Sequence, residues 1–246
     1  MGKIFGNNAI DGRENENKVE YEDRKKRARL AGLLYLSVII FGISAQVTRM
    51  SLIDADDAAA TVGNIEANMT AFKLSFVSDL LMTMSYFMLG LATYLLFEGV
   101  NKRASLALLV FVTVSAAIGG VSLLHQYTVV HLLVGDYMAV IGAEQVAAQV
   151  MLHLDMYTSG TFIAQILGWG PWLFPLGYMG YMSGYFPKVL GILLMISCFI
   201  HVSDALVYFV APEMHYITSM VLGLAAVTEF ATCGWLILKG VRAQAF

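Results

Sequence analysis

VLGILLMISCFIHVSDALVYFV, Val189–Val210, is the stretch whose reading decides the fold. It is long enough to cross about 30 Å of hydrocarbon as a helix, yet it carries His201 and Asp204 in its middle. Three residues apart on a helix, those two side chains share a face. An ionisable pair at membrane depth is costly unless it faces protein or water, so its default reading is functional. The rest of the chain supplies its partners. Of 246 residues, 58% are hydrophobic and 13% charged, too apolar a chain to hide its surface in one water-soluble core.

Five further apolar runs have similar length, and the six spans fall at about 30–48, 73–97, 104–128, 158–182, 189–210 and 217–238. The chain therefore reads as all-α, a polytopic bundle of six transmembrane helices over residues 29–242. Residues 1–28 lack an apolar h-region, so they are no signal peptide, and they read as a disordered tail ending in Arg24, Lys25, Lys26 and Arg27. Basic residues recur after the second, fourth and sixth spans, as Lys102 and Arg103, Lys188, then Lys239 and Arg242. The other connections are acidic or neutral, with Asp54, Asp56, Asp57, Glu66, Asp136, Glu144 and Glu213. The positive-inside rule then places both termini in the cytoplasm and the acidic loops outside, across the plasma membrane. DADDAAATVGNIEAN in the first acidic loop suits a short capped helix, and GDYMAVIGAEQVAAQ in the third suits another.

Counting about 1.5 Å per residue from the basic end places His201 roughly 18 Å and Asp204 roughly 22 Å up their helix. Glu229 comes out about 13 Å up the sixth, and Asp79 and Arg49 near 27–28 Å up the second and first. Asp79, Thr83, Tyr86, Gly90 and Thr93 follow at spacings that form one polar and small face. Gly168-Trp-Gly-Pro171-Trp-Leu-Phe-Pro175 predicts a break in the fourth span, because each proline lacks a backbone donor and clashes with the preceding turn. These features describe an outward-facing polar cavity floored by His201 and Glu229. An internal echo is also visible: Arg29-Leu-Ala-Gly-Leu-Leu before the first span and Lys188-Val-Leu-Gly-Ile-Leu before the fifth.

The chain resembles a family of six-span prokaryotic membrane proteins known as domain of unknown function 4386. The residues that carry this are RLAGLLYLSVIIFGI, the Ala-rich loop, Asp79 within SDL, IGAEQ at 141–145, SGYFPKVLGILL at 183–194, Asp204 and Glu229. The resemblance implies a six-helix fold and brings no activity with it.

Three readings of the polar residues stand side by side. The first is binding or translocation of a small solute or cation by His201, Asp204, Glu229, Asp79 and Arg49. The second is an intramembrane metal-dependent hydrolase, with His201, Asp204, Glu229, His125, His153 and Asp155 as candidate divalent-metal ligands. The third is a structural or sensing role, with Arg49 paired to Asp79 or Asp204 and Glu229 bonded to Thr228 or Thr232. HExxH, GxSxG, Walker and dinucleotide motifs are missing, so the first reading leads over an enzyme and no cofactor is expected. With a net charge of −3 and basic residues sorted by topology, no nucleic-acid partner is expected. The bilayer is the one partner implied, and oligomeric state is left open.

Overall fold

The computed structural model describes the backbone of residues 4–242 and the side chains of residues 18–242. The helices are α1 (Ile4–Met50), α2 (Ala58–Ala67), α3 (Met69–Phe97), α4 (Lys102–Val134), α5 (Tyr137–Ile141), α6 (Ala143–Ala164), α7 (Leu173–Ser183), α8 (Lys188–Val210) and α9 (His215–Leu238). A π-turn, Gln165–Trp169, joins α6 to α7, and a 3-10 turn, Pro212–Met214, leads into α9. Among the described residues there is no strand.

The molecule is a helical membrane bundle. Lys18–Met50, α3, α4, α8 and Pro212–Leu238 are each long and apolar enough to cross a bilayer. The remaining crossing, the fourth, is shared between α6 and α7. Its break falls where the prolines demand it. Gly170 N donates to Gln165 O at 2.9 Å across the π-turn, and Trp172 N donates to Gly168 O at 2.9 Å, while Pro171 between them has no N–H to continue the ladder. Pro175 sits in the first turn of α7, where a missing donor costs nothing.

Two boundaries differ from expectation. The expected disordered tail over residues 1–28 is, from Ile4 on, helical backbone continuous with the rest of α1. Arg27 Nε lies 2.9 Å from Asp23, Glu20 pairs with Arg24, and each such i,i+4 pair supports a helix by roughly 0.2–0.5 kcal/mol. Ala28 is fully buried, and Lys25 packs against Gly240, so this segment is held by the far end of the chain. Residues 1–3 lie outside the described part. The third and fourth spans are longer than read, reaching Val134 and beginning at Ala143, because Val129, Val130, Val146, Val150 and Leu154 bury one another there.

The bundle runs α1, α3, α4, α6 with α7, α8, α9 and back to α1. Two apolar clusters fill different parts of it. The larger occupies the half nearer the basic loops, around Trp172, Leu176, Met179, Tyr185, Phe186, Phe97 and Leu108. The smaller lies at the acidic end, where Ile65 of α2 and Phe72 of α3 meet α4 and α6. Asp57 caps α2 by accepting from Ala60 N at 2.8 Å. No residue of α8 or α9 joins that second cluster. Space is therefore left at the acidic end beside α1, α8 and α9.

The echoed glycines are close-approach points. A Cβ on Gly32 would stand 2.8 Å from Ile237, and one on Gly191 2.8 Å from the Gly177 carbonyl, so α1 meets α9 and α8 meets α7 backbone to backbone.

Candidate functional site

The space between the two clusters is a cavity of about 560 Å³. Its walls come from α1, α3, α6, the π-turn, α8 and α9, and four ionisable groups from four helices line it: Arg49, Asp79, His201 and Glu229. They stand as two matched pairs. Arg49 donates to Asp79, both almost wholly buried. Nε2 of His201 lies 2.9 Å from Glu229 Oε1.

Each pair is held by further groups that restrict its geometry. Tyr157 OH donates to Asp79 Oδ2 at 3.1 Å, and the Arg49 guanidinium sits 4.5 Å from the Tyr157 ring centroid. Arg49 Nη2 also donates to Gln46 Oε1 at 2.8 Å. On the other pair, Tyr35 OH donates to Glu229 Oε2 at 2.7 Å, so both carboxylate oxygens have a partner. Tyr35 is fixed in turn by its edge contact with Trp172, ring centroids 5.4 Å apart.

The π-turn positions α8 against this wall. Gly170 lies under His201, where a Cβ would stand 2.9 Å from the His201 Cβ. Gln165, the first residue of the π-turn, donates to His201 O at 2.9 Å and to Asp204 Oδ2 at 3.1 Å. Thr218 donates to Asp204 Oδ1 at 2.8 Å, and His215 Nε2 lies 3.2 Å from the same oxygen, at ion-pair distance but off the hydrogen-bond direction.

Asp204 is therefore buried behind the cavity and does not line it. His125 and His153 are elsewhere, between α4 and α6, with their Nδ1 atoms 3.0 Å apart. Asp155 is exposed. The six candidate metal ligands are thus spread over separate places, and no group of three His, Cys, Asp or Glu residues gathers among the described residues. Glu229 takes its bonds from His201 and Tyr35 and not from Thr228 or Thr232, whose hydroxyls bond back to Leu224 O and Thr228 O.

Sequence reasoning missed Tyr35, Gln46, Tyr157, Gln165 and Thr218. Gln165 carried a usable signal, an amide deep in an apolar span between Gly160 and Gly168. Tyr35 carried none, since a tyrosine near a span end reads as an interface anchor.

Some polar atoms keep no protein partner. Among the described residues, His201 Nδ1, Tyr86 OH and Trp172 Nε1 are buried without a hydrogen bond. A smaller cavity of about 40 Å³ lies beside Tyr86, lined also by Asp79, Thr83, Ser115 and Tyr157. That is room for at least one water with several polar neighbours.

Residues 30–240 match the model of the family described as Domain of unknown function (DUF4386). The chain belongs to that family. The match covers every crossing and all four cavity-lining ionisable groups of this DUF4386 member. No curated protein and no solved structure matches it.

Proposed function

We propose that this membrane protein binds a small ligand in the cavity walled by Arg49, Asp79, His201 and Glu229. The single observation behind this is the convergence of two bonded pairs of ionisable groups, from four helices, on one open volume of about 560 Å³. That size falls within the roughly 300–1,000 Å³ of ordinary ligand sites. The orientation belongs to the proposal: basic loops and both termini cytoplasmic, the cavity toward the exterior of the plasma membrane.

The matched pairs bear on the ligand's charge. Asp79 and Glu229 already have their donors, so a bare cation would have to displace Arg49 or a proton from His201. An uncharged or zwitterionic ligand needs no such exchange. Toward the basic end the bundle is filled by Trp172, Leu176, Phe97 and Phe186, which favours binding over an open conduit; translocation requires those side chains to part.

The test is thermal unfolding of the purified protein in nanodiscs against a panel of uncharged and zwitterionic polar solutes and amphiphiles, wild type beside Glu229→Gln. The expected result is a compound that raises the midpoint of the wild type and not of the variant. If none separates the two, the binding reading fails. A structural network is the second reading, favoured by Asp204, which is fully partnered outside the cavity. It gives lower midpoints for the variant with no compound-dependent difference.

A further inference from the structure

The cavity is not closed on all sides. Ile39, Ile43 and Val47 form one stripe of α1 along it, at spacings of four, and Leu222, Ala226 and Phe230 form the facing stripe of α9. Side chains that line a cavity between packed helices are normally hidden from the outside. Here Ile43 is 50% exposed, Val47 63% and Phe230 49%. The same two helices touch backbone to backbone further down, where Gly32 meets Leu236 and Ile237 and Cys233 Sγ lies 3.5 Å from Gly32 O. α1 and α9 therefore part toward the acidic end, and the cavity opens sideways between them, at a level above Tyr35 and Glu229. On the opposite side α2 and the second apolar cluster cover α3, α4 and α6.

We infer that the ligand is a single-chain amphiphile with an uncharged, hydroxyl- or carbonyl-bearing polar end, entering from the leaflet at the acidic end through the seam between α1 and α9. The tail lies along the two apolar stripes, which face lipid in a bilayer and need no dehydration. The polar end meets the groups that still have bonding capacity. Gln46 is exposed at the cavity, its Oε1 taken by Arg49 and its amide nitrogen without an acceptor among the described residues. His201, lining the same cavity, is buried and its Nδ1 has no protein partner. With the imidazole protonated, the state in which it matches the Glu229 charge, those two groups offer two donors, the Gln46 amide and His201 Nδ1–H, to a hydroxyl or carbonyl oxygen. The Arg49–Asp79 and His201–Glu229 pairs leave no unmatched charge to receive a charged head. This inference rests on the ligand-binding reading above and narrows it to a lipid-phase ligand.

The experiment uses Trp169, which lines the cavity, as the reporter. The full chain is reconstituted in phosphatidylcholine vesicles containing a dibrominated stearoyl monoglyceride, whose bromines quench indole on contact. The expected result is quenching that saturates at low mole fraction and disappears in Trp169→Phe. In Ala226→Phe, which fills the seam, the half-saturating mole fraction should rise roughly tenfold or more. Leu222→Phe serves the same purpose if Ala226→Phe assembles poorly. Quenching that grows only in proportion to bulk mole fraction overturns the inference. Quenching of Trp169 by aqueous acrylamide but not by the brominated lipid also overturns it, while leaving a water-fed binding cavity standing. If neither quencher reaches Trp169, both the inference and the cavity reading fall.

Discussion

Removing Arg49 should be far more damaging than removing Arg49 and Asp79 together. Arg49→Ala takes the guanidinium from the Asp79 carboxylate, 3% exposed in the intact protein, and leaves Tyr157 OH as its one remaining donor. Breaking a buried pair from one side costs about 3–5 kcal/mol, because the surviving charge stays desolvated. Replacing both partners by apolar residues of similar volume, Arg49→Met with Asp79→Leu, removes the charge as well as its partner and, apart from its effect on Tyr157, should cost about 1 kcal/mol or less. The Tyr157 hydroxyl then loses its acceptor, a smaller penalty of about 1–3 kcal/mol that Tyr157→Phe in the same background should recover. Equilibrium unfolding of Arg49→Ala, of Arg49→Met and Asp79→Leu singly and together, and of the triple variant with Tyr157→Phe, in mixed micelles and read by circular dichroism, measures the coupling directly. If Arg49→Ala costs less than about 1 kcal/mol, or the double substitution costs the sum of the singles, the pair is not the desolvated unit described here.

Other substitutions test the supports of the site. Gln165→Leu removes the donor shared by His201 O and Asp204 and should cost about 1–3 kcal/mol in the same unfolding assay. Gly168→Leu places a side chain against the Phe111 carbonyl and the Ser115 side chain, so correctly assembled protein should fall sharply in size-exclusion chromatography. Gly184→Ala puts a Cβ at φ +69°, with open space around it, so its cost should be only the left-handed penalty of about 1–2 kcal/mol. Pro171→Ala restores a backbone donor beside the π-turn; if that lets the turn relax toward α-helix, Gln165 rotates away and the loss should match that of Gln165→Leu.

The crossings were legible because bilayer thickness imposes length and hydropathy on a chain whatever it packs against. So was the break near Pro171, since a proline's missing N–H acts locally. Helix ends were less so: Val129 and Val130 continue α4 because Val146 and Val150 receive them, a tertiary fact that composition does not contain. The part of α1 before its crossing failed for a related reason, since a charged stretch reads as tail until its i,i+4 pairs and its docking on Gly240 are seen. Within the site, the depth count put Glu229 and His201 about 13 and 18 Å up and Asp79 and Arg49 near 27–28 Å, but it said nothing of azimuth. Asp204 shows what that omits. Three residues from His201, it points to Gln165 and Thr218 behind the wall rather than into the cavity.

How the polar residues are distributed bears on the choice between a ligand site and a structural network. Where helices press together without a gap, the contacts are neutral: Ser105 donates to Tyr94 O at 2.9 Å and Gln126 to Ser75 Oγ at 3.0 Å. Such bonds fix register without placing a charge in hydrocarbon. A bundle needing only register has no reason to go further, because ionised groups at that depth are expensive. Arg49–Asp79 and His201–Glu229 both stand on the wall of the cavity of about 560 Å³ that α1, α3, α8 and α9 share. The costly side chains are thus spent where a ligand's polar end can reach them and the cheap ones where it cannot. Asp204 departs from this pattern; bonded to Gln165 beside the His201 carbonyl, it braces the helix that carries the cavity's imidazole.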